Sequence, residues 1–131
     1  MVAAALRARS GLWLMHQRPA EKHHGGLWEF PGGKVDPGET PEIALIRELD
    51  EELAIRVLAE NLDFAGSARG SVNAGHPAIV IELYTCTSWR GEPDPQEGGS
   101  VGWFALDEIK DLPKPPLDEQ LLERLMQKHR A

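Results

Sequence analysis

The stretch GGKVDPGETPEIALIRELDEELAI, positions 32–55, constrains this chain more than any other. Thr40 and Pro41 read as an N-cap and a first helical residue, with Glu39 and Glu42 at the positive end of the dipole. The pattern predicts a helix over 42–54. At about 100° per residue, Leu45, Ile46, Leu49 and Leu53 fall within one arc of about 100°. Glu48, Glu51 and Glu52 fill the adjacent arc, with Ala44 among them as a small residue that leaves room for a ligand. One face is made for a core. The other gathers like charges, which cost a few tenths of a kcal/mol per pair four residues apart. A solvated helix intersperses lysines, yet here Arg47 is the one basic residue. Carboxylates just after a Gly-Gly turn, where backbone carbonyls are exposed, make an oxygen-only cage. Such a cage suits Mg²⁺ or Mn²⁺ and not zinc, and a cation would relieve the repulsion.

Around this helix the chain alternates short apolar runs with turns. VAAAL and LWLMHQR, split by RARSG, read as a hairpin, and PAEKHHGG (19–26) as a polar loop. LWEF runs into PGGK as a strand ending in a glycine turn. LDFAGSARG and HPAIVIELYTCTSW read as strands joined by a glycine-containing loop. RGEPDPQEGGS (90–100) reads as a long loop and VGWFAL as a last strand. DEIKDL forms a short helix and LDEQLLERLMQKH an amphipathic one. The expected class is α+β, a mixed sheet between helices in an α/β/α arrangement.

The net charge of −7 argues against polymeric nucleic acid, whose binding needs a basic stripe. A small anionic substrate remains compatible where a cation bridges it to the protein. At 131 residues the chain suits one domain, 1–131. The lone Cys86 points to a reducing compartment. No apolar run approaches the roughly 18 residues of a membrane span, and MVAAALRARS is charged too early for a signal peptide. The expectation is a cytoplasmic monomer or homodimer with no membrane partner.

The spacing is also specific. Gly33, five residues, Glu39, seven residues, then Arg47-Glu48-Leu49-Asp50-Glu51-Glu52-Leu53-Ala54-Ile55 resembles the signature of the Nudix hydrolases, G-x5-E-x7-R-E-U-x-E-E-x-G-U with U aliphatic. Only Ala54 departs, standing where the signature has its second Gly. GLWEFPGGKVDPGETP is similar to the MutT branch, and WRGEP and PPLDEQLLERL extend the likeness through most of the chain. The resemblance implies a Nudix fold and Mg²⁺-dependent hydrolysis of a (deoxy)nucleoside triphosphate to monophosphate and pyrophosphate. It implies nucleotide-pool sanitation of 8-oxo-dGTP, in the service of DNA repair. A (d)CTP or modified-pyrimidine substrate, or ADP-ribose, is the alternative. A non-enzymatic binding module is disfavoured because the glutamates of the signature are intact.

By the same resemblance Glu48, Glu51 and Glu52 are metal ligands, with the Gly32 carbonyl as a fourth. Arg47 and Glu39 orient them. Glu97, in the loop after WRGEP, is a further ligand or the general base, with Glu48 its rival as base. Arg18 and Lys34 are phosphate contacts, His23 falls where MutT proteins touch substrate, and Phe30 lines the base pocket. Asp118 matches a base-reading Asn. As an ionised acceptor it suits 8-oxoguanine or the amine of cytosine; its other reading is the N-cap of the last helix. Trp13, Trp89 and Trp103 read as core, and Cys86 as a small buried apolar residue.

Overall fold

The computed structural model describes residues 1–70 and 78–130, the side chain of Arg130 excepted. The loop expected after LDFAGSARG, with His76 and Pro77, lies outside the described residues. Among the described residues there are seven strands: β1 (Val2–Leu6), β2 (Trp13–Gln17), β3 (Trp28–Glu29), β4 (Gly32–Gly33), β5 (Asp63–Gly70), β6 (Ile79–Cys86) and β7 (Ser100–Phe104). The helices are α1 (Pro41–Leu53), α2 (Leu106–Asp111) and α3 (Pro116–Arg130).

β1 organises the molecule because both of its faces are apolar. Val2, Ala4 and Leu6 enter a core with Leu45, Leu49 and Leu53 of α1. Ala3 and Ala5 enter a second core with Ile109 of α2 and Leu121 and Leu125 of α3. A strand buried on both sides needs helices above and below it, and the α/β/α layering follows.

The strands divide between two sheets, ordered β4-β1-β6-β5 and β3-β2-β7. β1 and β2 therefore do not form the expected hairpin. They meet at a single bridge, Arg7 opposite Trp13, and then part. β1 takes β6 in parallel on one edge and β4 antiparallel on the other. β6 pairs with β1 along its whole length, from Val2 to Leu6, where β2 offers a single bridge. The edge strand β5 is covered by α3: the Gln120 amide exchanges two hydrogen bonds with the backbone of Arg69, at 3.1 and 3.2 Å. That side chain satisfies the edge as a neighbouring strand would.

α1 begins and ends as its residues dictate. Thr40 Oγ1 accepts from the Ile43 amide at 3.2 Å, and Pro41 opens the helix. Ala54 closes it in the left-handed region, φ 55° and ψ 34°, where a Cβ is costly. Ala54→Gly is expected to raise stability by about 1 kcal/mol, read as a shift of the urea midpoint at unchanged slope. A lower midpoint would mean that the left-handed residue carries no strain. Ala44 is a correction: it is fully buried in the α1 core and does not border a ligand space. It shares that core with Val2, Ala4 and Leu6 of β1.

Candidate active site

Arg47 is the hub on which the acidic face of α1 is built. Its Nε and Nη2 grip both oxygens of Glu39 at 2.8 and 2.9 Å. Nη1 donates to Glu48 at 2.9 Å and to Glu51 at 3.2 Å, and Nη2 also reaches the Lys34 carbonyl at 3.0 Å. A two-pronged guanidinium–carboxylate pair fixes direction as well as distance. The Glu39 carboxyl is consequently held down to about 2, first by Arg47 and then by the Asp36 amide. Asp36 also pairs with Arg47 at 3.3 Å.

The glycine pair proves to be strand β4 and not a free turn. Ala4 donates to the Pro31 carbonyl at 2.8 Å, so the adjacent Ala3–Gly32 pair is a non-hydrogen-bonded one. Gly32 thus turns its amide and carbonyl away from β1, toward the carboxylates. The amide donates to Glu52 Oε2 at 3.2 Å. No side chain fits at either glycine. A Cβ on Gly32 would strike the Val2 carbonyl, and one on Gly33 would occupy the space of the Glu48 carboxyl.

Glu97 reaches the same region through the end of α1. The helix has no basic residue in its last turn, and its terminal carbonyls need donors. The amides of Asp94 and Gln96 supply them, to Leu53 and Glu52 at 2.9 and 2.8 Å. This docks the 94–99 loop beside Glu52. Glu97, Glu52, Arg18, Lys22 and His16 then line a small cavity of about 70 Å³.

A larger cavity of about 410 Å³ adjoins it at Arg18, with Phe30, Gly33, Lys34, Glu48 and Asp118 on its walls. Asp118 is 6% exposed, and its Oδ2 accepts from the Phe30 amide at 3.0 Å. Burial, opposed by that amide, pushes it up to about 7. It does not cap α3; the helix opens at Pro116, and the amides of Asp118 and Glu119 turn back to the Pro115 carbonyl. Arg18 is already engaged, with Glu29 Oε1 at 3.2 Å and the His23 carbonyl at 2.7 Å. The His23 ring is not brought to either cavity. It packs on His24 at 3.9 Å in the exposed loop.

Two residues at the site were not anticipated. Glu29 receives Arg18 and raises both Glu52 and Asp118. His16 is 7% exposed, with Nε2 at 3.4 Å from the Gly98 carbonyl and Nδ1 lacking a hydrogen-bond partner. Its signal was present: on a strand it shares a face with Leu14, so a polar ring at an inward position should have stood out.

The donors suit a hard divalent cation. Burial, then Glu29 and Glu48, and more weakly Glu97, push Glu52 up to about 8. Burial also raises Glu48 against the pull of Arg47. A carboxyl whose ionised form is penalised by burial gains most from a cation. As they stand, no three Asp, Glu, His or Cys side chains among the described residues converge on one ion. Arg47 draws Glu48 and Glu51 to itself, and an ion would compete with it for them.

The family model described as NUDIX domain matches residues 1–125. The CTP pyrophosphohydrolase of Escherichia coli K12 is 35% identical over 95% of this chain and 90% of its own length. The 8-oxo-dGTP diphosphatase of Haemophilus influenzae is 34% identical over 96% of this chain and 90% of its own. The solution structure of the E. coli ORF135 protein superposes with a TM-score of 0.84 at 35% identity, covering 98% of this chain and 88% of that one.

Proposed function

The chain belongs to the NUDIX domain family of hydrolases, and from that premise we propose that it hydrolyses nucleoside triphosphates to monophosphate and pyrophosphate with Mg²⁺. The observation that carries this reading is a pair of cavities that share Arg18 as a wall. Glu52 and Glu97 line the smaller one, and Glu48, Lys34, Phe30 and Asp118 line the larger. A charged triphosphate needs cations at one end and a base needs a flat wall and a polar edge at the other. Glu48, Glu51, Glu52, Glu97 and the Gly32 carbonyl would hold Mg²⁺, or Mn²⁺ in its place. The bound ion supplies neutralisation of phosphate charge and a more acidic attacking water.

The residues divide the remaining work. Arg18 and Lys34 bind phosphate oxygens. Arg47 and Glu39 hold Glu48 in direction. Glu48 and Glu97 are the candidates to take the proton from water. Glu48 is already held by Arg47, whereas Glu97 makes no hydrogen bond among the described residues, so the arrangement favours Glu97. For the base, 8-oxo-dGTP is the first reading. Asp118 sustains (d)CTP as the second, since a carboxylate accepts well from an exocyclic amine. Both substrate names also occur among the similar enzymes.

A nucleotide panel tests the reaction. With Mg²⁺ the products are pyrophosphate and a monophosphate, and excess EDTA abolishes turnover. Orthophosphate and a diphosphate as main products, or full activity in EDTA, would contradict it. Asp118→Asn tests the base. Asn keeps an oxygen for the Phe30 amide and presents a donor to the cavity. It is expected to cost cytidine nucleotides about 1–3 kcal/mol in kcat/KM relative to 8-oxo-dGTP. Unchanged ratios across 8-oxo-dGTP, dGTP, dCTP and CTP would remove Asp118 from base recognition.

A further inference from the structure

We propose a second, metal-independent site for a phosphate-type oxyanion, held by Arg7 and Arg9 in a cavity at the opposite end of β1. The cavity, of about 450 Å³, lies between the β1–β2 turn and the chain after β6, with Thr87, Ser88 and Trp89 on its far wall. Val2 and Ala3 border the catalytic cavity, and Arg7 borders this one. Four residue steps along the chain separate Ala3 from Arg7, roughly 13 Å.

Arg7 is the anomaly that points to a ligand. Its amide is fixed to the Cys86 carbonyl at 2.9 Å, and its cross-strand position opposite Trp13 lays the guanidinium 5.3 Å from that ring's centre. Nε is thereby buried without a hydrogen-bond partner. Among the described residues the guanidinium makes neither a hydrogen bond nor an ion pair, and Arg9 makes no ion pair either. Yet acidic residues outnumber basic ones 21 to 14 in this chain, and Arg47 alone engages four carboxylates. A cation partly stripped of water and left without a counter-charge favours an anion over solvent.

The surroundings suit phosphate. Thr87 and Ser88 offer hydroxyls. Trp89 and Trp103 lie parallel, 6.1 Å apart at 14°, and border the cavity with flat apolar surface. Glu92 is the acid on the wall, and it opposes an anion.

Calorimetric titration in EDTA at fixed ionic strength, with inorganic phosphate, pyrophosphate and a nucleoside monophosphate, tests the site. One saturable site is expected. Arg7→Ala and Arg9→Ala should each weaken it at least tenfold, Glu92→Gln should tighten it, and Glu52→Gln should leave it unchanged. Tighter binding of the monophosphate than of phosphate identifies a nucleotide, with its base on the indoles; equal binding identifies the phosphate group alone. Should Arg7→Ala fail to fold, Arg9→Ala on the exposed turn carries the test. No saturable binding by any titrant, binding that survives the arginine substitutions, or binding lost in Glu52→Gln overturns the proposal.

Discussion

Glu52→Gln is expected to lower kcat by more than about a hundredfold, beyond the 10- to 100-fold typical of residues that only support metal ligands. The substitution keeps shape and can keep the bond from the Gly32 amide, but it removes a charge from the cation cage. Stability should move the other way. The Glu52 carboxyl sits at about 8 in the folded protein against an ordinary 4.5. Between those values the folded state holds a proton that the unfolded chain releases. The stability from this group is therefore full below pH 4.5 and is lost as pH rises through 8. In EDTA, the wild type should lose Tm from pH 6 to pH 9, and the variant should lose less and overtake it at the alkaline end. Mg²⁺ should raise the Tm of the wild type more than that of the variant. Unchanged turnover would reduce the cluster to a solvated face, and identical pH slopes would show that Glu52 is not held protonated.

Arg47→Ala is the second large effect. The substitution leaves Glu39, Glu48, Glu51 and Asp36 without their common cation, so kcat should fall by about 10- to 100-fold, more than KM changes. Arg47→Lys should recover only part of this, because an ammonium cannot grip both Glu39 oxygens. The Glu39 carboxyl lies at about 2 against 4.5. Its stabilisation is present above 4.5 and lost as pH falls toward 2, so the acid limb of the wild-type stability curve should be steeper than that of the alanine variant. A variant that loses stability yet keeps kcat would make Arg47 a structural residue only.

The elements and the carboxylate face were legible in the chain because they depend on local periodicity. Thr40, Pro41 and the leucine spacing of α1 carry their own start, direction and buried side, and the set spacing from Gly33 to Ile55 marked the family. Ala54 in the left-handed region followed from its place after the helix. What only the tertiary structure decided was pairing and company. VAAAL does not reveal that its neighbours are β4 and β6 instead of β2, because any strand buried on both faces reads alike. The Gly-Gly pair reads as a turn until β1 lies beside it. Asp118 reads either as a base contact or as a cap until the Phe30 amide, 88 residues earlier in the chain, arrives to claim its oxygen. Glu29 lies in the MutT-like stretch with no role assigned to it there, and His16 is marked only as a polar ring at an inward position; the pairing of β2 with β3 sets the two opposite each other. Local sequence dictates each element's conformation; burial and electrostatics between distant residues decide which side chains meet.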